Sequence, residues 1–227
     1  MIPRPENPLA VALDRSDLDG AESLARALEG EVALLKVGLE LFTAHGPASV
    51  QRIRPHAPVL LDLKLHDIPT TVERAAANAG RLGAAMLTVH ALGGEAMVAA
   101  AVRGSARGAA EAGHAAPLVV AVTVLSSLAG EGLASPASLA FEARAAGAAG
   151  VVVSGEDVSV VREVLGEDAC LVVPGIRPAG SNGHDQVRIL TPEEAVERGA
   201  DYLVVGRPVT GSSDPASAAR AIVSSIR

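Results

Sequence analysis

The chain has no tryptophan, one tyrosine and two phenylalanines among its 227 residues. Its core must therefore be filled by Ala, Val, Leu and Ile, a palette that suits buried parallel strands covered by Ala-rich helices. Cys170 is the only cysteine, which excludes an intrachain disulfide and a cysteine-based zinc site; it reads as a small buried hydrophobe. No apolar run reaches the roughly 18 to 20 residues of a membrane helix, and Met1 to Pro8 lacks the apolar stretch of a signal peptide, so a soluble, cytoplasmic protein is expected. Basic excess is also missing. With a net charge of -7 and a pI near 5.4, neither nucleic acid nor an acidic membrane is an expected partner, and any anionic ligand needs a local site.

The scarcest informative residue is lysine. Of 19 basic residues only Lys36 and Lys64 are lysine, leaving 17 arginines. Arginine serves wherever a generic cation suffices, whereas lysine is a compact proton donor whose acidity can be tuned. Both lysines sit inside apolar runs, which points to a chemical need for an amine.

Short Val/Leu/Ile-rich runs recur at fairly even intervals: Leu9 to Asp14, Ala33 to Val37, Pro58 to Leu65, Met86 to Ala91, Leu118 to Leu125, Gly150 to Ser154, Leu171 to Pro174 and Tyr202 to Gly206. Between them lie Ala/Arg/Glu stretches with helical spacing, including Asp17 to Leu28, Thr71 to Arg81, Glu95 to Ala112, Pro136 to Ala146 and Pro192 to Arg198. The alternation predicts an α/β protein, a (β/α)8 TIM barrel forming one domain over residues 1–227, with 1–8 as an extended N-terminal arm. An open doubly wound sheet is the competing architecture, but no Gly-x-Gly-x-x-Gly follows the first strand.

Leu61 to Thr71 carries the densest chemistry. Side chains alternate along a strand, so Leu61, Leu63 and Leu65 are expected on one face and Asp62 and Lys64 together on the other. A buried carboxylate beside a buried ammonium costs several kcal/mol unless paired, which argues for purpose. Barrel enzymes work at the C-terminal ends of their strands. There the chain places Asp14, Lys36, Asp62, Lys64, His90, Thr123, Ser154, Pro174, Arg177, Gly206 and Arg207. Singly, His90 reads as a satisfied pocket histidine, and Thr123 or Ser154 as a hydroxyl bonded to backbone. The Gly-rich stretch from Arg177 to Thr191 follows the seventh run, where phosphate sites are commonly built; Gln186, Gly206 and Arg207 fit that role, with Arg177 as helper. The same loop is long enough to close as a lid.

Leu61-Asp62-Leu63-Lys64-Leu65-His66-Asp67-Ile68-Pro69-Thr70-Thr71-Val72 resembles the signature of the orotidine 5′-phosphate decarboxylase family. Further matching segments are Ala12-Leu13-Asp14, Lys36-Val37-Gly38, Val89-His90-Ala91, Val122-Thr123, Pro174-Gly175-Ile176-Arg177-Pro178, Asp185-Gln186 and Val205-Gly206-Arg207-Pro208. The resemblance implies conversion of orotidine 5′-monophosphate to UMP and CO2 without metal or cofactor, in a homodimeric barrel with shared sites. It also implies that Lys36, Asp62, Lys64 and Asp67 form an alternating charge array in which Lys64 donates the proton. Asp67 and Thr71 would reach into the neighbouring subunit's site, Asp14 would hold the ribose, Thr123 and Ser154 the pyrimidine, and Gln186, Gly206 and Arg207 the phosphate. Thr70 stands where many members have Asn, beside the array and replacing none of it.

Two other functions compete. A magnesium-dependent sugar-phosphate decarboxylase or aldol enzyme of the same barrel group would carry a carboxylate metal ligand where this chain has Lys36. A non-catalytic barrel that binds nucleotide phosphates would need the pocket but not Lys64.

Overall fold

The computed structural model describes residues 5–124, 135–178 and 190–226. Eight parallel strands close into a barrel in sequence order: β1 (Leu9–Ala12), β2 (Leu34–Gly38), β3 (Val59–Leu65), β4 (Met86–His90), β5 (Leu118–Val122), β6 (Gly150–Val152), β7 (Cys170–Pro174) and β8 (Tyr202–Val205), with β8 pairing back onto β1. Each falls on one of the eight apolar runs. Most stop short of the polar end of the run, which leaves Asp14, Ser154 and Gly206 on the turns that follow.

Outside the barrel lie α1 (Leu18–Ala27), α2 (Leu39–His45), α3 (Pro47–Ile53), α4 (Pro69–Arg81), α5 (Gly94–Ala112), α6 (Pro136–Ala145), α7 (Val158–Leu165), α8 (Pro192–Glu197), α9 (Arg207–Thr210) and α10 (Pro215–Ser225). Their starts are written in local chemistry. Asp17 caps α1 by accepting the Gly20 N–H, Ser135 caps α6, and Thr191 with Glu194 forms a reciprocal capping box on α8. Helix α4 begins at Pro69, two residues before the expected Thr71, because the first helical position needs no N–H donor and proline presets its φ. Helices α4 and α5 touch backbone to backbone: a Cβ on Gly104 would lie 2.2 Å from the Glu73 carbonyl oxygen, and one on Gly108 1.9 Å from that of Ala77.

The core has two layers. One, between strands and helices, runs through Leu13, Leu35, Leu61, Leu87, Val119 and Leu171. The other fills the barrel itself with Ala10, Leu34, Leu60, Met86, Val120, Cys170 and Val172. Cys170 lies in that inner plug, 1 % exposed, and burial pushes its thiol up to about 12, with Asp201 acting in the same sense. It is inert, as its expected role as a hydrophobe requires. Among the described residues no helix is long and apolar enough to cross a membrane.

Candidate active site

The site is the continuation of the inner plug. On a regular strand the residues two and four positions beyond a plug residue point the same way. Leu34 is followed by Lys36 and Gly38, Leu60 by Asp62 and Lys64, Met86 by Thr88 and His90, and Ala10 by Ala12 and Asp14. The apolar plug thus gives way to a polar layer at the C-terminal ends of the strands. Above it opens a cavity of about 420 Å³, lined by Asp14, Lys36, Asp62, Lys64, Ser154 and Arg207 among others.

Asp62 is the hub. Lys64 Nζ donates to both its carboxylate oxygens at 2.8 Å, Lys36 Nζ lies 3.6 Å from Oδ2, and the Thr88 hydroxyl donates to Oδ1 at 2.9 Å. Lys36 also donates to Asp14 Oδ1 at 2.9 Å. The result is an alternating row, Asp14–Lys36–Asp62–Lys64. The Lys36 and Asp62 side chains are 12 % and 13 % exposed, and that of Lys64 is 30 % exposed, facing the cavity. Burial alone would raise the Asp62 pKa, but the charges of Lys36 and Lys64 and the hydrogen bonds from Lys64 and Thr88 outweigh it and hold the carboxyl below its usual range.

Lys64 is placed by a break in the strand. The β3–β4 register slips between Leu61 and Leu65, and Lys64 has φ +50°, the one positive φ at a non-glycine residue among those described. Such a conformation costs about 1 to 3 kcal/mol and persists only where the surroundings impose it. Here the Lys64 N–H, displaced from the ladder, donates to Thr88 Oγ1 at 2.8 Å. Strict alternation was expected across Leu61 to Leu65. The bulge modifies it at Lys64, yet both charged side chains still meet. Gly38 leaves room for the row, since a Cβ there would lie 2.9 Å from Lys36 Nζ.

At the other side of the cavity, Ser154, Pro174, Arg177, Gly206 and Arg207 contribute to the lining. Arg177 is 7 % exposed, and its N–H donates to the Leu190 carbonyl, which ties the two described ends of the Arg177 to Thr191 loop together. Gln186 and the Gly-rich part of that loop lie outside the described residues. Thr123, expected against the pyrimidine, is not in the lining: it has the opposite parity to Val122 and Val124, is buried, and donates its hydroxyl to the Val152 carbonyl at 3.2 Å. Asp67 and Thr71 are exposed and do not join the row within one chain. Asp67 accepts the Ile68 N–H at 2.7 Å, and the cap position of α4 is Ile68, so Asp67 is no helix cap. His90 packs its ring 5.4 Å from that of His66, and its buried Nδ1 has no hydrogen-bond partner among the described residues. Burial, then the nearby His66 and Lys64, depress its basicity against an opposing pull from Asp62.

Residues 7–222 match the sequence profile described as the orotidine 5′-phosphate decarboxylase / HUMPS family. This chain belongs to that family. Orotidine 5′-phosphate decarboxylase of Anaeromyxobacter sp. (strain K) is 51 % identical over 234 residues, covering 98 % of this chain and 100 % of that one. The enzyme of the same name from Paramagnetospirillum magneticum is 49 % identical over 94 % of this chain and 95 % of its own. The crystal structure of orotidine 5′-phosphate decarboxylase from Lactobacillus acidophilus superposes with a TM-score of 0.84 at 36 % identity, over 97 % of this chain and 99 % of that one.

Within the family's fold, this chain contains one site residue that sequence reasoning passed over, Thr88. The signal was available: it is the lone hydroxyl inside the Met86–His90 strand and shares the parity of Met86 and His90. Nothing in the strand's composition, however, says which parity faces the barrel axis.

Proposed function

We propose that the chain decarboxylates orotidine 5′-monophosphate to UMP and CO2, the last step of de novo pyrimidine synthesis, in the cytoplasm. The chain is a carboxy-lyase. The observation that carries the substrate and the mechanism is the Lys64 ammonium, clasped by Asp62 at 2.8 Å and facing a cavity whose lining also holds Arg177 and Arg207.

Loss of CO2 breaks the bond between the ring carbon and its carboxylate and leaves the electron pair on that carbon, with no neighbouring carbonyl to absorb it. An ammonium fixed beside the carbon stabilises the pair as it forms and then passes a proton to it, becoming an amine that solvent reprotonates. Asp62 orients the ammonium, and Lys36 links Asp62 to Asp14 on the ribose side. Arg207 and Gly206 bind the phosphate with Gln186, Arg177 assisting, and Ser154 and Pro174 border the base. A divalent metal at Asp62 would face two ammonium groups within 3.6 Å, which favours a reaction written without metal over the magnesium-dependent alternative.

The array is completed by a second copy of the chain, whose Asp67 and Thr71 enter the site. Exposed Leu39, Ile68 and Leu92 support this: each lies just beyond the C-terminal end of β2, β3 or β4, on the rim that carries Asp67. The test is the ultraviolet absorbance of orotidine 5′-monophosphate mixed with purified protein, with and without a metal chelator. Rapid conversion to UMP that ignores the chelator is expected. Folded protein that converts nothing overturns the reading, with tight UMP binding then pointing to a binding barrel.

A further inference from the structure

We propose that Thr88 is a positioning residue for the decarboxylation, its hydroxyl locking both ends of Lys64, backbone and ammonium, into the geometry that aims the proton. The proposal rests on the decarboxylase reading of this site.

A hydroxyl carries one proton and two lone pairs. Thr88 uses both functions on the same neighbour set: Oγ1 accepts the Lys64 N–H at 2.8 Å and donates to Asp62 Oδ1 at 2.9 Å. Asp62 Oδ1 in turn accepts from Lys64 Nζ at 2.8 Å. The circuit is closed, from the Lys64 amide through Thr88 and Asp62 to the Lys64 ammonium.

Each link answers a local need. The strand slip between Leu61 and Leu65 takes the Lys64 amide out of the β-ladder, and an amide in the protein interior must find an acceptor. The left-handed backbone of Lys64, at φ +50°, swings its side chain to a direction that a regular strand would not give, and would relax without an anchor. Thr88 is 1 % exposed and β-branched, so its rotamer is stiff and its hydroxyl direction is set by the strand that carries it. A valine has the same shape and supplies neither bond. Serine supplies both.

The experiment compares wild type, Thr88→Val and Thr88→Ser by steady-state turnover of orotidine 5′-monophosphate and by calorimetric UMP binding. For Thr88→Val, kcat is expected to fall about tenfold to a hundredfold, the effect of losing hydrogen bonds to a charged group, while UMP affinity and KM stay within about threefold. Thr88→Ser is expected to recover most of the loss. Thr88→Val with kcat within about threefold of wild type overturns the proposal, as does a serine variant no better than valine. UMP binding lost together with turnover in Thr88→Val also overturns it, in favour of a purely structural role. Wild-type protein that leaves the substrate untouched overturns the decarboxylase reading itself; an active wild type with an unaffected valine variant overturns only the role of Thr88.

Discussion

At the N-terminal end of the barrel, Arg162 on α7 meets Asp201 just before β8; at the C-terminal end, Lys36 and Lys64 meet Asp62. The first is buried and the second half-buried, and they are finished differently. Every N–H of the Arg162 guanidinium is used: Nε donates to the Gly199 carbonyl, Nη1 to those of Gly166 and Ala169, and Nη2 to Gly199 and to Asp201 Oδ2 at 2.6 Å. Asp201 also accepts the Leu171 N–H at 2.7 Å. This cluster ties α7, β7 and β8 together and leaves no donor over. The lysine cluster leaves its ammonium groups bonded to carboxylates on one side and open to the cavity on the other. A guanidinium is a rigid fork suited to holding loops; an ammonium is a point charge that can give up a proton. Where this chain staples loops together it uses arginine, and the cation that faces the cavity in the proposed proton-donor role is one of its two lysines.

The contrast can be broken most sharply at Lys64. Lys64→Ala is expected to lower kcat by roughly 10² to 10⁴-fold or more, the scale of general-acid catalysis, with UMP affinity within an order of magnitude of wild type. Retained turnover would remove Lys64 from the chemistry. At the opposite end, Arg162→Ala removes the guanidinium charge from beside buried Asp201, and urea unfolding should register a loss of about 3 to 5 kcal/mol. Turnover per folded molecule should stay unchanged; a large fall in kcat would erase the distinction between the two ends.

Asp67→Asn sharpens the comparison by asking whether the catalytic row extends into a second chain. The variant is expected to fold and to lose about two orders of magnitude in kcat by removal of a charge from the array. Mixing it with Lys64→Ala under subunit exchange should restore activity, because one hybrid site receives an intact Lys64 and an intact Asp67. No recovery in confirmed mixed dimers would place Asp67 outside the neighbouring site. Arg207→Ala should act mainly on affinity, weakening UMP about tenfold to a hundredfold as expected for lost charge-assisted bonds; unchanged UMP affinity would move the phosphate elsewhere.

The smallest effect is in pH dependence of stability. His90 is less basic in the folded chain than unfolded, so the unfolded state binds more protons there and stability declines as pH falls through about 6.5, the ordinary histidine value. Asp62 is more acidic folded than unfolded; its contribution is present above about pH 4 and is lost as pH falls further, through the folded value. Thermal melts of His90→Asn should lack the first decline and keep the second.

Much of this arrangement could be read along the chain. The eight apolar runs became the eight strands, and the Asp, Ser and Thr caps and N1 prolines placed most helix starts, because these are local preferences of backbone and side chain. The meeting of Asp62 with Lys64 was expected from alternation, although a bulge at Lys64 is what delivers it, and the scarcity of lysine pointed to Lys36. Helices α2 and α3 were not foreseen: two short turns separated at Gly46, which has φ +56°, offer too little periodicity to detect. Thr123 was singled out and Thr88 was not, though each is a lone hydroxyl in an apolar run. Only one faces the cavity, and parallel strands buried on both sides carry no polar alternation to tell the faces apart.

The sequence by itself determined the order of the strands and the closed count of eight, since composition and period-two spacing are properties of neighbours along the chain. Tertiary structure alone decided which parity faces inward, that Thr88 closes a circuit between Lys64 and Asp62, that Arg162 is a staple, and that Asp67 and Thr71 are exposed and outside the lining of their own chain's cavity. Those outcomes depend on the register between β3 and β4 and on groups such as Arg162 and Asp201, 39 residues apart in the chain, whose meeting is set by barrel closure and by no local preference.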